Sequence, residues 1–182
     1  RMTLYPRYLT IVPMFHCNAW CHPWMIPALG GAIICLRDIT AKGVYQAIAV
    51  EGATHFGGAP IVLNTIIAAK PEDRLPFDHV VEVFTAGAPP PAATLAAIEP
   101  LGFNVTQVYG LTETYGPATE CTWHEGFEAL PADQRAAVKA RTGVKMPFME
   151  EITVLDAQMQ PVARDGAALG EIMHRGNGVM KG

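Results

Sequence analysis

The sequence predicts an α/β fold: a mostly parallel sheet with flanking helices, followed by a short β-rich segment. Up to about residue 144, short runs of β-branched and aromatic residues alternate with helix-like segments. This alternation is typical of parallel strands joined by crossover helices. Half of the 182 residues are hydrophobic and 16% are charged, so the chain can bury a substantial core. After residue 144, strand-like segments follow one another without a helix between them.

Seven short segments have strand-like composition and are bounded by residues that favour turns. They cover residues 8–14, 32–36, 53–56, 80–85, 104–108, 151–155 and 171–175. Residues 32–36 are all apolar and are expected to form a buried strand. Gly57 and Gly58 are expected to turn the chain after the third strand.

Four segments are predicted to be helical from the spacing of their apolar residues. They cover residues 15–29, 41–51, 60–69 and 92–99. Pro23 and Pro27 lie inside the first helix and should interrupt or kink it. Thr40 is expected to cap the second helix, and Pro60 to start the third, where its missing N–H group is not needed.

Composition argues against several classes of protein. The net charge is −4 and no cluster of Lys and Arg is present, which argues against nucleic acid as a partner. No apolar run approaches the roughly 20 residues that a transmembrane helix needs. The four cysteines are sparse, which is typical of reduced thiols, and the opening residues do not resemble a secretory leader. We therefore expect a cytoplasmic protein.

Unusual residues follow three of the predicted strands. Residues 15–20 read F-H-C-N-A-W, residues 85–91 read T-A-G-A-P-P-P, and residues 109–114 read Y-G-L-T-E-T. In an open parallel sheet, ligands bind outside the carboxyl ends of the strands. These three stretches are therefore expected to line one site.

The residue types in two of these stretches suit a nucleotide. Gly87 lets a flat ring approach the backbone, and Tyr109 offers an aromatic face for stacking. Thr112 offers a hydroxyl donor to a phosphate oxygen, and Glu113 an oxygen ligand for Mg²⁺. The sequence contains neither of the common glycine-rich phosphate loops, G-x-x-x-x-G-K-[ST] and G-x-G-x-x-G.

Four motifs resemble those of the acyl-adenylate-forming enzymes, which include acyl-CoA synthetases, luciferases and peptide-synthetase adenylation domains. Y-G-L-T-E at 109–113 resembles their adenylate-binding motif, and T-A-G-A-P at 85–89 their adenine-contacting turn. P-M-F-H-C-N-A-W at 13–20 resembles the version found in medium-chain fatty acyl-CoA and methylmercaptopropionate-CoA ligases. G-E-I-M-H-R-G at 170–176 resembles their G-E-[IL]-x-x-x-G segment. The motifs stand in family order, so the chain resembles a central piece of the large N-terminal domain.

The resemblance implies a reaction and a set of site residues. Such enzymes join a carboxylic acid to ATP with Mg²⁺, release pyrophosphate, and then form the thioester of coenzyme A. The residues that would bind the AMP moiety are Gly87, Ala88, Pro89, Tyr109, Gly110 and Thr112. Thr112, Glu113 and His16 are implied to be catalytic, with Glu113 holding the metal. His16 would lie near the acyl carboxylate, and Trp20 would line the acyl pocket.

The resemblance also divides the chain. Residues 1–145 would form a nucleotide- and acyl-binding subdomain, and residues 146–182 the start of a β-rich subdomain. The family's phosphate loop, ribose-binding Asp, hinge and adenylation Lys are not found, and Lys181 stands in the wrong segment to be that Lys. We therefore expect a fragment that is inactive by itself. The implied partners are a small carboxylic acid, ATP and coenzyme A, and a homodimer is compatible with the sequence.

Several of these residues also have a purely structural interpretation. Thr112 can serve as a helix cap, Glu113 can be an acidic residue favoured at a helix start, and His16 can be a structural histidine.

Cysteine and histidine cluster in the first of the three stretches. Cys17 and Cys21 favour packing over zinc binding, because no second pair of ligands completes a site. In the same segment we expect His22 to be exposed and Trp24 to lie in the core.

Three functions are weighed. An acyl-CoA synthetase is favoured because F-H-C-N-A-W lacks the Asp that an amino-acid pocket would carry. The alternatives are adenylation of an aryl or amino acid for a carrier protein, and a non-catalytic nucleotide-binding relic. Met14, Phe15, Trp20 and Phe56 would favour a short, medium or sulfur-containing acyl group where they face the pocket, and packing decides which of them do.

Overall fold

The computed structural model describes residues 2–181, and nine strands lie within that range. They are β1 Arg7–Thr10, β2 Ala32–Cys35, β3 His55–Gly58, β4 Val81–Thr85, β5 Phe103–Leu111, β6 Gly116–Glu120, β7 Val144–Lys145, β8 Met149–Leu155 and β9 Glu171–Gly176. The α-helices are α1 Cys17–Trp20, α2 His22–Ala28, α3 Ala41–Ala49, α4 Pro60–Ile67, α5 Ala92–Ile98 and α6 Ala132–Lys139. Short 3₁₀ turns cover Pro71–Asp73, Glu99–Leu101, Thr112–Thr114 and Glu125–Phe127.

The described strands form two sheets. The larger has seven strands in the order β2-β1-β3-β4-β5-β6-β7. Strands β1 to β5 pair in parallel and are joined by helices, whereas β6 and β7 pair antiparallel at one edge. Strands β8 and β9 form a separate antiparallel pair. The predicted α/β class and the β-rich final segment are both confirmed.

The main core lies between the parallel strands and helices α3 to α6. Leu9, Phe56, Val83 and Phe103 are at most 1% exposed, and each comes from a different parallel strand. Phe56 therefore belongs to this core. Burial of this many apolar side chains supplies the main stabilisation of the sheet.

The residues expected to start two of the helices do so. The Thr40 hydroxyl accepts a hydrogen bond from the Gly43 amide at 3.1 Å, which caps α3. Pro60 is the first residue of α4.

The expected burial of residues 32–36 is wrong. In β2, Ala32, Ile33 and Cys35 are exposed. The strand forms the edge of the sheet and pairs only with β1 within the described residues, so its side chains are left uncovered. An apolar run does not by itself distinguish an edge strand from a central one.

The helix predicted over residues 15–29 is interrupted, as expected, but the break lies at Cys21 and not at a proline, and Pro27 lies inside the second of the two short helices. The backbone from Cys17 to Cys21 has φ between 46° and 66°, so α1 is a left-handed turn. Left-handed residues other than glycine cost about 1–2 kcal/mol each, so a pattern-based interpretation does not anticipate five in a row. Pro23 stands in the first turn of α2, where its ring is tolerated.

Gly57 and Gly58 do not form a turn; they are buried residues of β3. A Cβ on Gly57 would lie 2.9 Å from the Tyr8 hydroxyl oxygen and 3.1 Å from the Trp20 ring. The glycine is needed because two aromatic side chains approach the strand backbone closely, and not because the chain turns.

Strand β5 is longer than predicted, and its added residues include the start of the Y-G-L-T-E-T stretch. Its first half pairs with β4, and from Val108 to Leu111 it pairs with β6. The sequence of β6, G-P-A-T-E, has little strand propensity, and it is a strand through its pairing with β5 and β7.

Helix α6 was not predicted either. It is held by Lys139, whose ammonium group lies 2.8 Å from Glu99 Oε1 and 3.0 Å from Asn104 Oδ1. These contacts are distant in sequence, so the helix depends on tertiary packing.

Candidate functional site

The strand order places a crevice at the carboxyl ends of the strands. The chain passes from β1 outward to β2 and then returns to β3 on the other side of β1. Helices therefore leave the sheet in opposite directions at this point, and ligands of open α/β sheets bind at such a switch. The loop after β1 carries His16, the loop after β4 carries Gly87, and the turn after β5 carries Thr112.

The three predicted stretches line one cavity of about 210 Å³ at this edge. Its lining residues are His16, Cys17, Trp20, Ala86, Gly87, Gly110, Leu111, Thr112, Glu113, Gly116 and Pro117. Six of the predicted site residues are thus brought together: His16, Trp20, Gly87, Gly110, Thr112 and Glu113. The side chains of His16, Thr112 and Glu113 are exposed and available to a ligand.

The left-handed turn α1 holds the first loop against the third. Cys17 Sγ lies 3.8 Å from the Thr112 hydroxyl, and Cys21 Sγ lies 3.9 Å from the Tyr115 carbonyl oxygen. Both cysteines therefore pack between loops, as expected, and no group of three or more possible metal ligands occurs among residues 2–181. Backbone strain of this kind is commonly found at functional sites.

The turn that carries Thr112 and Glu113 is fixed by a buried hydroxyl. Thr114 is 2% exposed, and its Oγ1 accepts from the Leu111 amide at 2.9 Å and donates to the Gly116 carbonyl oxygen at 2.8 Å. Both partners are backbone groups at the two ends of the turn, so the Thr114 side chain links these ends and stabilises the turn. Sequence reasoning did not single out Thr114, although a third hydroxyl in Y-G-L-T-E-T was a visible signal.

Gly110 is required by the packing of β5 against β6. A Cβ at this position would lie 2.6 Å from the Gly116 carbonyl carbon and 2.9 Å from Pro117 Cα. The strand pairing shifts register between Tyr109 and Gly110, which marks a bulge beside the site.

Three predicted nucleotide-binding residues lie outside the lining of this cavity. Ala88 and Pro89 follow Gly87 on the exposed loop. The ring of Tyr109 lies 6.0 Å from that of His174 on β9, tilted by 31°. Burial lowers the pKa of His174, which disfavours the charged form of the imidazole beside the tyrosine.

The segment after β9 also contacts the site turn. The Met180 amide donates to the Glu113 carbonyl oxygen at 2.8 Å. Residues of the β-rich segment therefore contact both the Tyr109 ring and the Glu113 backbone.

Two buried polar groups beneath the site were missed at the sequence level. Thr85 and Gln107 are paired across β4 and β5, and they are 0% and 4% exposed. Thr85 Oγ1 and Gln107 Oε1 have no hydrogen-bond partner among the described residues. Such groups are costly to bury and indicate a place where a ligand or water completes the hydrogen bonding. The sequence feature that could have identified these two residues is a polar side chain placed directly before each site loop.

A second cavity of about 470 Å³ lies beside the first, and Trp20 and Pro117 line both. Its walls are mostly apolar and include Met25, Phe84 and Val108. It also contains His22, which was expected to be exposed.

His22 is in fact 6% exposed, and its ring stacks on Tyr8 with the centroids 4.2 Å apart. Its Nδ1 lies 3.0 Å from the Ala19 carbonyl oxygen, which can only accept, so Nδ1 carries the proton. Burial lowers the pKa of His22 to about 4, so the ring is neutral near pH 7.

The position of Trp24 also differs from expectation, because it is 62% exposed. A single helix would have placed it on the same face as Trp20 four residues earlier. The left-handed turn between them changes the direction of the chain, so only Trp20 is buried. Met14 and Phe15 are 58% and 86% exposed, which leaves Trp20 as the one large apolar side chain of the four that lines the cavity.

Comparisons with known proteins agree with this geometry. The sequence matches the family described as "AMP-binding enzyme" over residues 1–182. It is 51% identical over 177 residues to the acetate–CoA ligase CCL3 of Humulus lupulus, and 50% identical over 177 residues to the peroxisomal acetate/butyrate–CoA ligase AAE7 of Arabidopsis thaliana. Each alignment covers 96% of this chain and 31% of the relative, so the chain spans about a third of the length of these relatives.

Solved structures share the fold at lower sequence identity. The o-succinylbenzoate coenzyme A synthetase of Bacillus subtilis, in complex with ATP and magnesium, superposes with a TM-score of 0.76 at 21% identity. That match covers the whole of this chain and 35% of the other. The N-terminal domain of FACL13 from Mycobacterium tuberculosis gives a TM-score of 0.77 at 21% identity, over 99% of this chain and 43% of that domain. No helix within residues 2–181 is long and apolar enough to cross a membrane.

Proposed function

Since the chain belongs to the AMP-binding enzyme family, we propose that it is the central part of an acyl-CoA synthetase. The full-length protein joins a small carboxylic acid to ATP and then transfers the acyl group to coenzyme A. The observation that carries the proposal is the single cavity where His16, Gly87, Thr112 and Glu113 meet. Relatives whose names state acetate and butyrate as substrates support an acyl acid over an amino acid.

The first step joins two anions, so charge at the α-phosphate has to be neutralised. An oxygen of the carboxylate attacks the α-phosphorus, and the bond from that phosphorus to the bridging oxygen breaks, releasing pyrophosphate. The Thr112 hydroxyl donates to an α-phosphate oxygen, and the exposed His16 imidazole donates to the acyl carboxylate. The coenzyme A sulfur then attacks the acyl carbon, AMP leaves, and the thiol proton passes to solvent.

The residues present suit Mg²⁺ bound together with a nucleotide. Magnesium usually takes one or two protein carboxylates and completes its shell with phosphate oxygens and water. Glu113 supplies one exposed carboxylate at the cavity, beside the hydroxyl of Thr112. The metal would neutralise phosphate charge there.

The base of the nucleotide would lie between the β4 loop and β5. Gly87, Ala88 and Pro89 border the ring, and Tyr109 stacks on it. The Gln107 side-chain oxygen, which has no partner among the described residues, would accept a hydrogen bond from an exocyclic amino group of the base.

We also propose that the chain divides into two subdomains. Residues 1–145 bind nucleotide and acid, and residues 146–182 begin a β-rich subdomain that supports Tyr109 and Glu113. Cytoplasmic location stays a prediction, since several of the relatives are named as peroxisomal. A homodimer likewise stays a prediction, to be checked by light scattering.

The test uses the full-length protein that contains this chain. We expect acid-dependent exchange of pyrophosphate into ATP with acetate or butyrate, and thioester formation when coenzyme A is added. Thr112→Ala and Glu113→Gln should each lower the exchange rate by about 10²- to 10³-fold, because charge stabilisation is lost. Thr65→Ala and Glu72→Gln, at positions remote from the cavity, serve as matched controls and should leave the rate unchanged.

Each outcome bears on a different part of the proposal. Exchange without any thioester would indicate a carrier-protein adenylation enzyme. Nucleotide binding without exchange for any acid would indicate a non-catalytic relic. Site variants that exchange as fast as the controls would overturn the assigned roles.

A further inference from the structure

The cavity with Thr112 contains a nucleophilic side chain that the proposed reaction does not use. Cys17 lines this cavity together with His16 and Glu113. Its thiol is half-buried and forms no disulfide. Cys17 Sγ lies 3.8 Å from the Thr112 hydroxyl and 3.9 Å from the Leu111 carbonyl oxygen. The thiol therefore faces the turn that is proposed to bind the α-phosphate.

Buried polar groups beneath the cavity indicate independently that a ligand or water completes this place. Thr85 and Gln107 are 0% and 4% exposed, and their side-chain oxygens have no hydrogen-bond partner among residues 2–181. Ala86, which directly follows Thr85, lines the cavity together with Cys17. Cys17 also packs against the apolar cluster that contains Ala86 and Val108. The thiol thus lies at a place where the fold leaves hydrogen bonds for a polar ligand.

The position of the thiol is fixed by the left-handed turn α1. Cys17 begins this turn with φ 46°, and at its other end Cys21 Sγ lies 3.9 Å from the Tyr115 carbonyl oxygen. Contacts at both ends therefore hold the turn against the loop after β5. A nucleophile held beside a bound electrophile reacts as an intramolecular partner, at an effective concentration far above that of a free thiol.

An acyl adenylate bound here would place its reactive carbon close to this thiol. The acyl carbon is joined to the α-phosphorus through a single oxygen atom. A side chain that contacts Thr112, the proposed α-phosphate ligand, therefore also lies close to that carbon. His16, which is proposed to donate to the acyl carboxylate, directly precedes Cys17 and lines the same cavity. Both groups that would orient the adenylate are thus neighbours of the thiol.

We propose that Cys17 accepts the acyl group from the adenylate when coenzyme A is absent, which gives the protein an acyl-thioester form. The inference rests on the proposed acyl-CoA synthetase function and adds a second acyl acceptor to it. The Cys17 sulfur bonds to the acyl carbon, the bond from that carbon to the phosphate oxygen breaks, AMP leaves, and the thiol proton passes to solvent. Coenzyme A later removes the acyl group. Its sulfur bonds to the acyl carbon, the bond from that carbon to the Cys17 sulfur breaks, and Cys17 regains a proton as the coenzyme A thiol loses one.

The other three cysteines of the chain provide internal controls. Cys21 lies on the same turn, but it lines the neighbouring apolar cavity, and burial raises the pKa of its thiol, which disfavours the nucleophilic thiolate. Cys35 is exposed on the edge strand β2, so adenylate that escapes into solution would react there. Cys121 is buried. Of the four, Cys17 is the one that lines the cavity.

The test uses the full-length protein with ATP, Mg²⁺ and butyrate, and without coenzyme A. Quenching with acid and digestion with pepsin preserve a thioester, and the masses of peptide fragments then locate the butyryl group. We expect it on Cys17 at an occupancy at least about 10-fold higher than on Cys35, because the bound adenylate lies beside Cys17. The adduct should be absent without ATP, and coenzyme A added before the quench should remove it.

Two variants check the assignment. Cys17→Ser keeps a hydrogen-bonding side chain but replaces the thiol by a weaker nucleophile, so the adduct at this position should be lost. Cys35→Ser is the matched control on an exposed strand and should keep the wild-type adduct on Cys17. Because the adduct is located in the wild type, the test still decides the matter if Cys17→Ser does not fold.

The outcomes keep the two proposals apart. A wild type that exchanges no pyrophosphate with acetate or butyrate would refute the proposed function. Exchange without an adduct on Cys17, or with equal labelling of Cys17 and Cys35, would refute the acyl acceptor alone. An adduct on Cys17 that coenzyme A does not remove would refute the return of the acyl group.

Discussion

Replacement of Gly110 by Ala tests whether the β5–β6 junction positions the site. The added Cβ meets only backbone atoms: it would lie 2.6 Å from the Gly116 carbonyl carbon and 2.9 Å from Pro117 Cα. Backbone atoms cannot rotate away, so the two strands have to separate. Ordinary contact begins near 3.4 Å, and the Gly116 carbonyl oxygen would lie even closer to the Cβ than its carbonyl carbon, so the separation exceeds about 0.8 Å.

This shift occurs one residue pair away from the turn with Thr112 and Glu113. Misplacing a reacting group by about 1 Å can cost about 10²-fold in rate. We therefore expect Gly110→Ala to lower acid-dependent pyrophosphate exchange by about 10- to 100-fold. Overpacking also lowers the free energy of unfolding, by about 1–3 kcal/mol.

The assay combines exchange kinetics with urea unfolding of the full-length protein. Gly126→Ala is the matched control, because a Cβ there would meet nothing within 4 Å and its φ is not positive. Gly110→Ala with the wild-type rate and stability would show that the junction can separate without moving the turn, and our account of the site would be wrong. A loss of stability with an unchanged rate would show that the junction stabilises the fold but does not position the turn.

Two further predictions concern buried groups. The pKa of His22 is lowered from 6.5 to about 4, so between these values the unfolded chain binds more protons and acid destabilises the fold. From pH 7.5 to pH 5, urea unfolding should show about 2 kcal/mol less loss of stability in His22→Phe than in the wild type, and equal losses would contradict the burial of a neutral ring. Thr114→Val leaves two backbone groups without their partner and should cost about 1–3 kcal/mol, whereas exposed Thr122→Val should be neutral. Equal unfolding midpoints for the two threonine variants would contradict the role of Thr114 in the turn.

The sequence predicted correctly that the site loops lie close together, because their position follows from a rule of sheet topology. Alternating strands and helices predict a parallel sheet, and in such a sheet the loops after β1, β4 and β5 share an edge. His16, Gly87 and Thr112 could therefore be assigned to one site before any packing was known. Thr40 was recognised for a similar reason, since a cap acts within four residues of itself.

Features that depend on distant partners were not predicted. Strand β6 has a sequence poor in strand propensity and exists because β5 pairs with it. Gly57 was interpreted as a turn residue, because the aromatic rings that press on it come from β1 and α1.

The amino-acid sequence by itself determined the class of fold, the order of the loops and the types of chemical group that they carry. Only the tertiary structure decided which tryptophan lines the site, where Trp20 separates two cavities while Trp24 is exposed. The physical reason is the left-handed turn from Cys17 to Cys21, whose strain is opposed by packing between loops. Local propensity disfavours that backbone, so only the contacts of the folded chain select it.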